Sequence, residues 1–167
     1  MELPDQHHSR LTAVAWVTPR PHAAIRRHRV LDVDLDQLVD LDMISEPVRD
    51  LLKAAMAADL NIMIAGLGGA GKTTLARALA AEIPPTEPVV VMEDRRELGL
   101  HTSGRHPWAM SMETRQGHGE LDARGRPRGE VTLADLMPVS LSLGVLRIIV
   151  GEVRGNEIVA MLQAMTT

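Results

Sequence analysis

The run from Gly66 to Thr73 reads GLGGAGKT and carries the spacing G-x-x-x-x-G-K-S/T. Glycines in this pattern allow backbone N–H groups to face a polyphosphate, and the helix that follows adds the positive end of its dipole. Lys72 is expected to reach the β- and γ-phosphates of a nucleotide, and the Thr73 hydroxyl to hold Mg²⁺. A glycine turn that binds nothing is the alternative, but this spacing arises by chance in well under about one per cent of chains of this length.

The segments on either side of this loop have the composition that the motif needs. Residues 61–65 (NIMIA) predict a short strand, and residues 74–82 (TLARALAAE) are rich in strong helix formers. Strand, glycine loop and helix follow one another in the order that a phosphate site requires. The residues expected to bind the nucleotide here are Gly66, Gly68, Gly69, Ala70, Gly71, Lys72, Thr73 and Thr74.

Two later apolar runs each end in acids. Residues 146–150 (LRIIV) lead into Gly151 and Glu152, and residues 89–92 (VVVM) lead into Glu93 and Asp94. A buried strand that ends in a carboxylate commonly places an acid beside the Mg²⁺ of a bound nucleotide. Either run alone is a weak signal, because many strands end in acids at a solvated edge. Both together, after one phosphate loop, favour a hydrolase in which one carboxylate supports the metal and another orients water.

Composition limits the remaining classes of protein. The 167 residues include no cysteine, which excludes disulfides, thiolate metal sites and a cysteine nucleophile. The net charge of −4 argues against a protein that coats nucleic acid, and Trp16 and Trp108 are the only aromatic residues available for base stacking. No run of about 18 apolar residues or signal-like segment is present, so a cytoplasmic location is expected. The histidines show no ligand spacing and are predicted to be solvated.

Three regions differ by pattern: residues 1–30 are basic and punctuated by proline and histidine, residues 31–60 are predicted to be helical, and residues 61–167 form the core. Strands and helices alternate from Asn61 onward, which predicts an α/β fold with a mostly parallel sheet. The Gly/Arg-rich stretch 116–129 is predicted to be a mobile loop, and Pro138 is expected to kink or delay a helix over 132–143. The other predicted elements are strands at 12–17, about 22–26, 88–92, 109–113 and 147–150, and helices at 35–41, 45–59 and 156–165.

Several of these motifs are similar to one family. Residues 93–98 (EDRREL) resemble the Asp box of type II and type IV secretion ATPases, and residues 147–155 (RIIVGEVRG), followed by MLQAM, resemble their Walker B region. Residues 112–115 (METR) and 129–133 (GEVTL) match the CpaF-like ATPases of Flp, or tight-adherence, pili in order and spacing. The resemblance covers roughly residues 22–165, and a Gly-Glu pair in place of Asp-Glu in Walker B is fairly specific to this branch.

The resemblance implies a P-loop NTPase with a RecA-like (ASCE) motor core and a mostly parallel sheet. It implies a homo-oligomer that forms a hexameric ring and uses ATP with Mg²⁺. Hydrolysis would then drive pilus assembly or secretion, with platform proteins of the inner membrane as partners and no nucleic acid. The protein would be cytoplasmic and peripheral at the cytoplasmic face of that membrane.

The resemblance also assigns roles to residues. Glu152 would support Mg²⁺ and its water, so that Thr73 and Glu152 are the expected metal-site residues, and Glu93 would be the general base. Arg115 and Arg154 would sense the γ-phosphate across a subunit boundary. A solvated surface charge is the alternative for each arginine, including Arg26 and Arg27, which resemble nucleotide-facing arginines of the family's N-terminal domain.

Against that family the chain looks truncated at both ends. The matching stretch stops before the family's His box and the strand that follows it, so the sheet is expected to be incomplete at the C-terminus. Two central strand edges would then lack a partner, which is costly and invites aggregation. On this basis the chain alone is expected to be poorly stable and inactive.

Alternative functions stay open at this point. A nucleotide-binding module without turnover would depend on Lys72 for binding but release no phosphate. A nucleic-acid-associated ATPase is less favoured, because the seven arginines between Arg95 and Arg128 have no interleaved aromatic residues. A small-molecule kinase would not account for both acid-tipped strands.

Overall fold

The computed structural model describes residues 9–27, 32–123, 125–153, 155 and 157–165 of the chain. It divides into two compact units, the first ending at Asp32 and the second beginning at Val33. Among the described helices, none combines the length and apolar character needed to cross a bilayer.

The first unit contains a β-hairpin. Strand β1 (Arg10–Val14) pairs antiparallel with β2 (His22–Arg26), and Val14 lies opposite His22. The sequence predicts β2 correctly, but β1 ends three residues before the predicted end at Val17. Trp16 adopts a left-handed backbone with φ of 63°, which takes the chain out of the extended conformation there.

Helices in the second unit begin at the residues that sequence signals favour. Helix α1 (Leu35–Asp40) begins with a capping box in which Asp34 accepts from the Gln37 N–H and the Gln37 side chain accepts from the Asp34 N–H. Helix α2 (Glu46–Ala57) has Ser45 at its N-cap and a proline in its first turn, although the serine side chain makes no capping bond to the described residues. Helix α3 (Lys72–Ala80) follows the glycine loop directly.

The central element is a three-stranded parallel sheet. Strand β3 (Val89–Glu93) lies between β4 (Ala109–Glu113) and β7 (Arg147–Val150), so the order is β4-β3-β7. All five residues of β3 are buried, as expected for a strand covered on both faces. The α/β class and the parallel sheet are therefore confirmed.

Side chains of β3 alternate between two apolar clusters. Val89 and Val91 pack with the end of α3, with Leu98 and with Leu100 on one face. Val90 and Met92 pack on the other face against residues of helix α4 (Leu133–Ser142), which is followed by β7 and then by helix α5 (Glu157–Ala164). Glu93 is two residues beyond Val91 on the same strand, so its side chain points to the same face of the sheet as Val89 and Val91, the face that packs against α3.

Residues 61–65 do not form a strand, and that prediction is wrong. The exposure of the segment alternates as in an extended chain, with Ile62 and Ile64 half-buried, and the Asn61 amide donates to the Met165 carbonyl at 2.8 Å. Among the described residues, however, no strand pairs with this segment, and β7 pairs only with β3. A strand is defined by the backbone bonds to its neighbour, so apolar composition alone is not sufficient.

The stretch predicted to be a mobile loop is a second β-hairpin. Strand β5 (His118–Leu121) pairs with β6 (Pro127–Arg128), and the Arg126 N–H donates to the Asp122 carboxylate in the turn. The Arg126 guanidinium makes two bonds to the Asp135 carboxylate, at 3.1 and 2.6 Å. This pair connects the hairpin to the first turn of α4, a link that local sequence pattern does not reveal.

Helix α4 begins at Leu133, before Pro138, so the proline does not delay the start of the helix. Asp135 accepts from the Thr132 N–H and hydroxyl, and its own N–H donates to the Thr132 side chain, which completes a capping box. The Arg126 guanidinium and these Thr132 bonds hold the pKa of Asp135 well below its usual range. The capping carboxylate is thus ionised across the physiological range.

Replacement of Arg126 by alanine is expected to free the β5–β6 hairpin while the sheet stays folded. Both side chains of the Arg126–Asp135 pair are about two-fifths exposed, so its loss is expected to lower the free energy of unfolding only slightly. Amide hydrogen exchange over 118–128 should become faster, with exchange in β3 unchanged. Arg128→Ala, which removes a longer exposed contact with Glu120, is the control. Equal exchange in both variants would contradict the role given to Arg126.

His106 departs from the expectation that the histidines are solvated. Its side chain is 4% exposed, and burial together with the neighbouring Arg105 lowers its pKa. The ring is therefore neutral in the folded protein at physiological pH. Because the unfolded chain binds a proton more readily at this position, His106 contributes stability that is lost as the pH falls from about 6.5 through its folded pKa.

Candidate nucleotide site

The phosphate-loop motif forms a compact turn at the start of α3. Gly69 and Gly71 have φ values of 79° and 89°, in the left-handed region that glycine adopts without strain. Nothing lies within 4 Å of the position that a Cβ would occupy at Gly68 or Gly69, so the outer side of the loop is open. The loop can therefore present its backbone to a ligand without side chains in the way.

Lys72 is the first residue of α3, and its side chain folds over the loop. The ammonium group donates to the Gly66 and Leu67 carbonyl oxygens, both at 2.9 Å. Thr73 and Thr74 follow in the first helical turn, where the N–H groups have no partner within the helix. A cation, a helix N-terminus and an open glycine turn thus meet at one place, and that combination suits a phosphate group.

The carboxyl ends of the parallel strands bring acids to one edge of the sheet. Glu93 ends β3 and lies opposite Glu113, the last residue of β4. On the other side of β3, the Gly151 N–H donates to the Met92 carbonyl at 2.8 Å, so β3 and the end of β7 stay together up to the residue before Glu152. The strand register therefore places both acid-tipped strand ends at the same edge of the sheet.

Glu93 is a buried carboxylate with unequal oxygens. Its side chain is 2% exposed, and Oε1 accepts from the Glu97 and Leu98 N–H groups, each at 2.9 Å. Oε2 is covered and has no hydrogen-bond partner among the residues that the structure describes. Burial raises the pKa of Glu93, and the two backbone donors only partly oppose that effect. Glu93 is therefore a candidate general base, with one oxygen fixed by backbone donors and a raised pKa.

Arg77 connects α3 to the segment that fixes Glu93. Its guanidinium, in a side chain that is 4% exposed, donates to the Leu98 carbonyl at 3.2 Å and also to the Glu97 carbonyl. The N–H groups of the same two residues donate to Glu93. Arg77 therefore holds this short segment through its carbonyl groups, and Glu93 holds it through its N–H groups. Burial lowers the pKa of Arg77, whereas the negative charges of Glu93 and Glu97 raise it.

Replacement of Arg77 by methionine is expected to lower the free energy of unfolding by about 3 kcal/mol, as when one partner of a buried charged pair is removed. The variant leaves the Glu97 and Leu98 carbonyls without their donor and Glu93 without its nearest balancing charge. Denaturant unfolding measures the change, and Arg128→Met at an exposed position is the control. A cost equal to that of the control would contradict the structural role of Arg77.

The structure brings together some of the predicted site residues and not others. Lys72, Thr73 and Thr74 share the first turn of α3, and Glu152 is exposed just after β7. Arg115 is exposed, and its Nε donates to the Gly129 carbonyl at 2.6 Å, which directs it to the β5–β6 hairpin.

The remaining predicted arginines are Arg154, Arg26 and Arg27. Arg154 lies outside the described residues. Arg26 and Arg27 belong to the first unit, where Arg26 ends β2 and Arg27 is exposed.

The oxygen donors present fit a magnesium ion that arrives with a nucleotide. Among the described residues, no three His, Asp or Glu side chains gather as a complete protein cage for a metal. Mg²⁺ normally keeps waters and phosphate oxygens and takes only one or two ligands from the protein. The Thr73 hydroxyl and the Glu152 carboxylate are groups of that kind.

Comparison with known proteins agrees with this arrangement. The family model for type II/IV secretion system proteins matches residues 3–167. The chain is 36% identical to the type IV secretion system protein PtlH of Bordetella pertussis over 115 residues, which is 69% of this chain and 31% of PtlH. It is 30% identical to the conjugal transfer protein TrbB of Rhizobium radiobacter over 169 residues, 99% of this chain and 47% of TrbB.

A putative conjugal transfer protein of Mycobacterium tuberculosis is 34% identical over 144 residues, 86% of this chain and 38% of that protein. The chain spans less than half the length of each of these three relatives. The chain belongs to the type II/IV secretion ATPase family, and the P-loop ATPase fold follows from that membership.

Sequence reasoning missed Arg77. It stands alone as a charge in the apolar helix run LARALAA, and an isolated charge among apolar residues is a usable signal of a buried, paired group. The partner carbonyls lie 20 and 21 residues further along the chain, which no local pattern indicates.

Proposed function

We propose that this chain is the ATP-binding and ATP-hydrolysing part of a secretion-family motor. The observation that carries the proposal is the pairing of the glycine loop at the start of α3 with a buried carboxylate on the sheet face that α3 covers. Nucleotide hydrolysis needs two parts, a loop that holds phosphate and a general base. In this proposal both lie close to the same helix.

In the proposed reaction, the loop N–H groups and the Lys72 ammonium bind the β- and γ-phosphates of ATP. Glu93 Oε2 accepts a proton from water as the water oxygen bonds to the γ-phosphorus. The bond from phosphorus to the bridging oxygen breaks, and ADP leaves with its electron pair. Mg²⁺, held by Thr73 and through water by Glu152, would neutralise the charge that develops on the phosphates. Because protein covers Oε2, water reaches it after a local opening of the segment that follows β3.

The proposal extends to the assembly. A RecA-like core working as a hexameric ring would bring Arg115 and Arg154 to the γ-phosphate of a neighbouring subunit. Arg26 and Arg27 would face the nucleotide from the N-terminal remnant. The CpaF-like motifs favour pilus assembly, whereas PtlH and TrbB are named for type IV secretion and conjugal transfer. Family membership alone therefore does not define which substrate is transported.

We further propose a cytoplasmic protein that acts at the inner-membrane face with platform proteins. In this scheme residues 1–30 are a domain remnant, 31–60 a linker and 61–167 the ATPase core. Within the described residues, segment 61–65 has no strand partner and β7 pairs on one side, which supports a sheet that gains a further strand in the whole protein.

The alternative is a nucleotide-binding module without turnover. The covered position of Glu93 Oε2 favours this alternative if the local opening does not occur. Two measurements on the same purified protein separate the alternatives: binding of a fluorescent ATP analogue and release of inorganic phosphate from Mg-ATP. Binding with release supports the motor, binding without release supports the module, and the absence of binding contradicts both.

A further inference from the structure

Gly151 stands at the point where the buried carboxylate of Glu93 meets strand β7. Its N–H continues the backbone pairing of β7 with β3 through the bond to the Met92 carbonyl. Ile149, two residues earlier, packs into the cluster formed by Val89 and Val91, so a side chain at position 151 would point to the same face as Glu93. The chain has no side chain there.

The Glu93 side chain occupies the space that the glycine leaves. A Cβ at position 151 would lie 2.7 Å from Glu93 Cγ, 3.2 Å from Oε1 and 3.4 Å from Cβ. Backbone strain does not explain the glycine, because Gly151 is absent from the residues with positive φ. Space for Glu93 is therefore the physical requirement at this position.

Glu93 cannot move aside at low cost. Its Oε1 is fixed by the Glu97 and Leu98 N–H groups, and the carbonyls of those residues are held by Arg77. Displacement by a methyl group at position 151 would break both bonds to Oε1 or shift the β3–β7 pair. Either change moves Oε2, the oxygen that has no hydrogen-bond partner in the described part of the chain.

We infer that Gly151 is a positioning residue for Glu93: the missing side chain lets the carboxyl lie across the end of β7, with Oε1 fixed and Oε2 placed for the water that enters on local opening. This inference rests on the proposed function, in which Glu93 is the base. It also gives a physical reason for glycine, and not a larger residue, immediately before Glu152.

The test is the substitution Gly151→Ala, alone and together with Glu93→Gln. Alone, it is expected to lower kcat for ATP hydrolysis by about 10-fold or more and to leave KM for ATP within about twofold, because a misplaced base affects the chemical step. In the Glu93→Gln background it should lower kcat no further. Gly119→Ala, at an exposed strand position with nothing within 4 Å and an ordinary φ, is the matched control. An unchanged kcat, or the same loss in both backgrounds, would overturn the inference.

A second measurement separates this inference from the proposed function. Gly151→Ala should lower the denaturant midpoint in the wild-type background but have little effect in Glu93→Ala, where Cγ is removed. If no variant releases phosphate, the proposed function fails. The denaturant midpoints still show whether the effect of Gly151→Ala on stability depends on the Glu93 side chain. Equal losses of midpoint in the two backgrounds overturn the inference.

Discussion

Replacement of Glu93 by glutamine is expected to lower kcat for ATP hydrolysis by about 10²–10⁴-fold, the range that a general base contributes. Glutamine retains an oxygen that can accept from the Glu97 and Leu98 N–H groups but cannot take a proton from water. Binding of a fluorescent ATP analogue should be nearly unchanged, because the phosphates are held by the loop and Lys72. Phosphate release at saturating Mg-ATP measures the effect.

The control for this substitution is Glu120→Gln, a carboxylate that is 81% exposed on the β5–β6 hairpin. It should hydrolyse ATP within about twofold of wild type, since an exposed charge makes little difference. If Glu93→Gln retained the wild-type kcat, the base would have to be another group.

The pH dependence of kcat follows from the burial of Glu93. Burial raises the pKa of this carboxyl above its ordinary value of 4.5. As the pH falls through the raised pKa the base becomes protonated, so activity should be lost at a higher pH than for an exposed carboxylate. A rate profile from pH 4.5 to 8 should show that acid limb in wild type, and the residual rate of Glu93→Gln should lack it.

Replacement of Lys72 by alanine is expected to weaken Mg-ATP binding by roughly 100-fold, which corresponds to about 3 kcal/mol. The ammonium group lies over the glycine loop, held by the Gly66 and Leu67 carbonyls, and is the charged donor at that turn. Titration with a fluorescent ATP analogue measures the dissociation constant.

The chain offers a matched control in its other lysine. Lys53 lies on α2, where it forms an exposed pair with Asp36 at 2.6 Å. Lys53→Ala should bind ATP as wild type does. Equal loss of affinity in the two variants would mean that Lys72 contributes only general positive charge.

The sequence predicts the parts of this fold that local pattern determines. The apolar runs of β3, β4 and β7 and the helix formers after the glycine loop place four elements within one or two residues of their observed bounds. Parallel pairing places the ends of β3 and β7, which carry Glu93 and Glu152, at one edge of the sheet, because the carboxyl ends of parallel strands share one edge. The shared sheet edge was therefore predictable from the sequence, whereas the roles of the residues at that edge stay predictions.

Features that depend on partners distant in sequence were not predictable. Residues 61–65 have strand composition but no strand beside them among the described residues. The β5–β6 hairpin is fixed by Arg126 through Asp135, and the backbone around Glu97 is held by Arg77. The steric reason for Gly151 likewise appears only when Glu93 is placed against it.

The most direct test of the central claim, a nucleotide site built on the loop from Gly66 to Thr73, is thermal unfolding with and without Mg-ATP. Wild type, Lys72→Ala and Lys53→Ala are compared at one protein concentration. At about 100 times the dissociation constant, ATP should stabilise the wild type and Lys53→Ala by about 2.7 kcal/mol, seen as a higher Tm. The same ATP concentration should leave Lys72→Ala almost unshifted. A wild-type Tm that ATP does not raise, or an equal rise in Lys72→Ala, would contradict the claim.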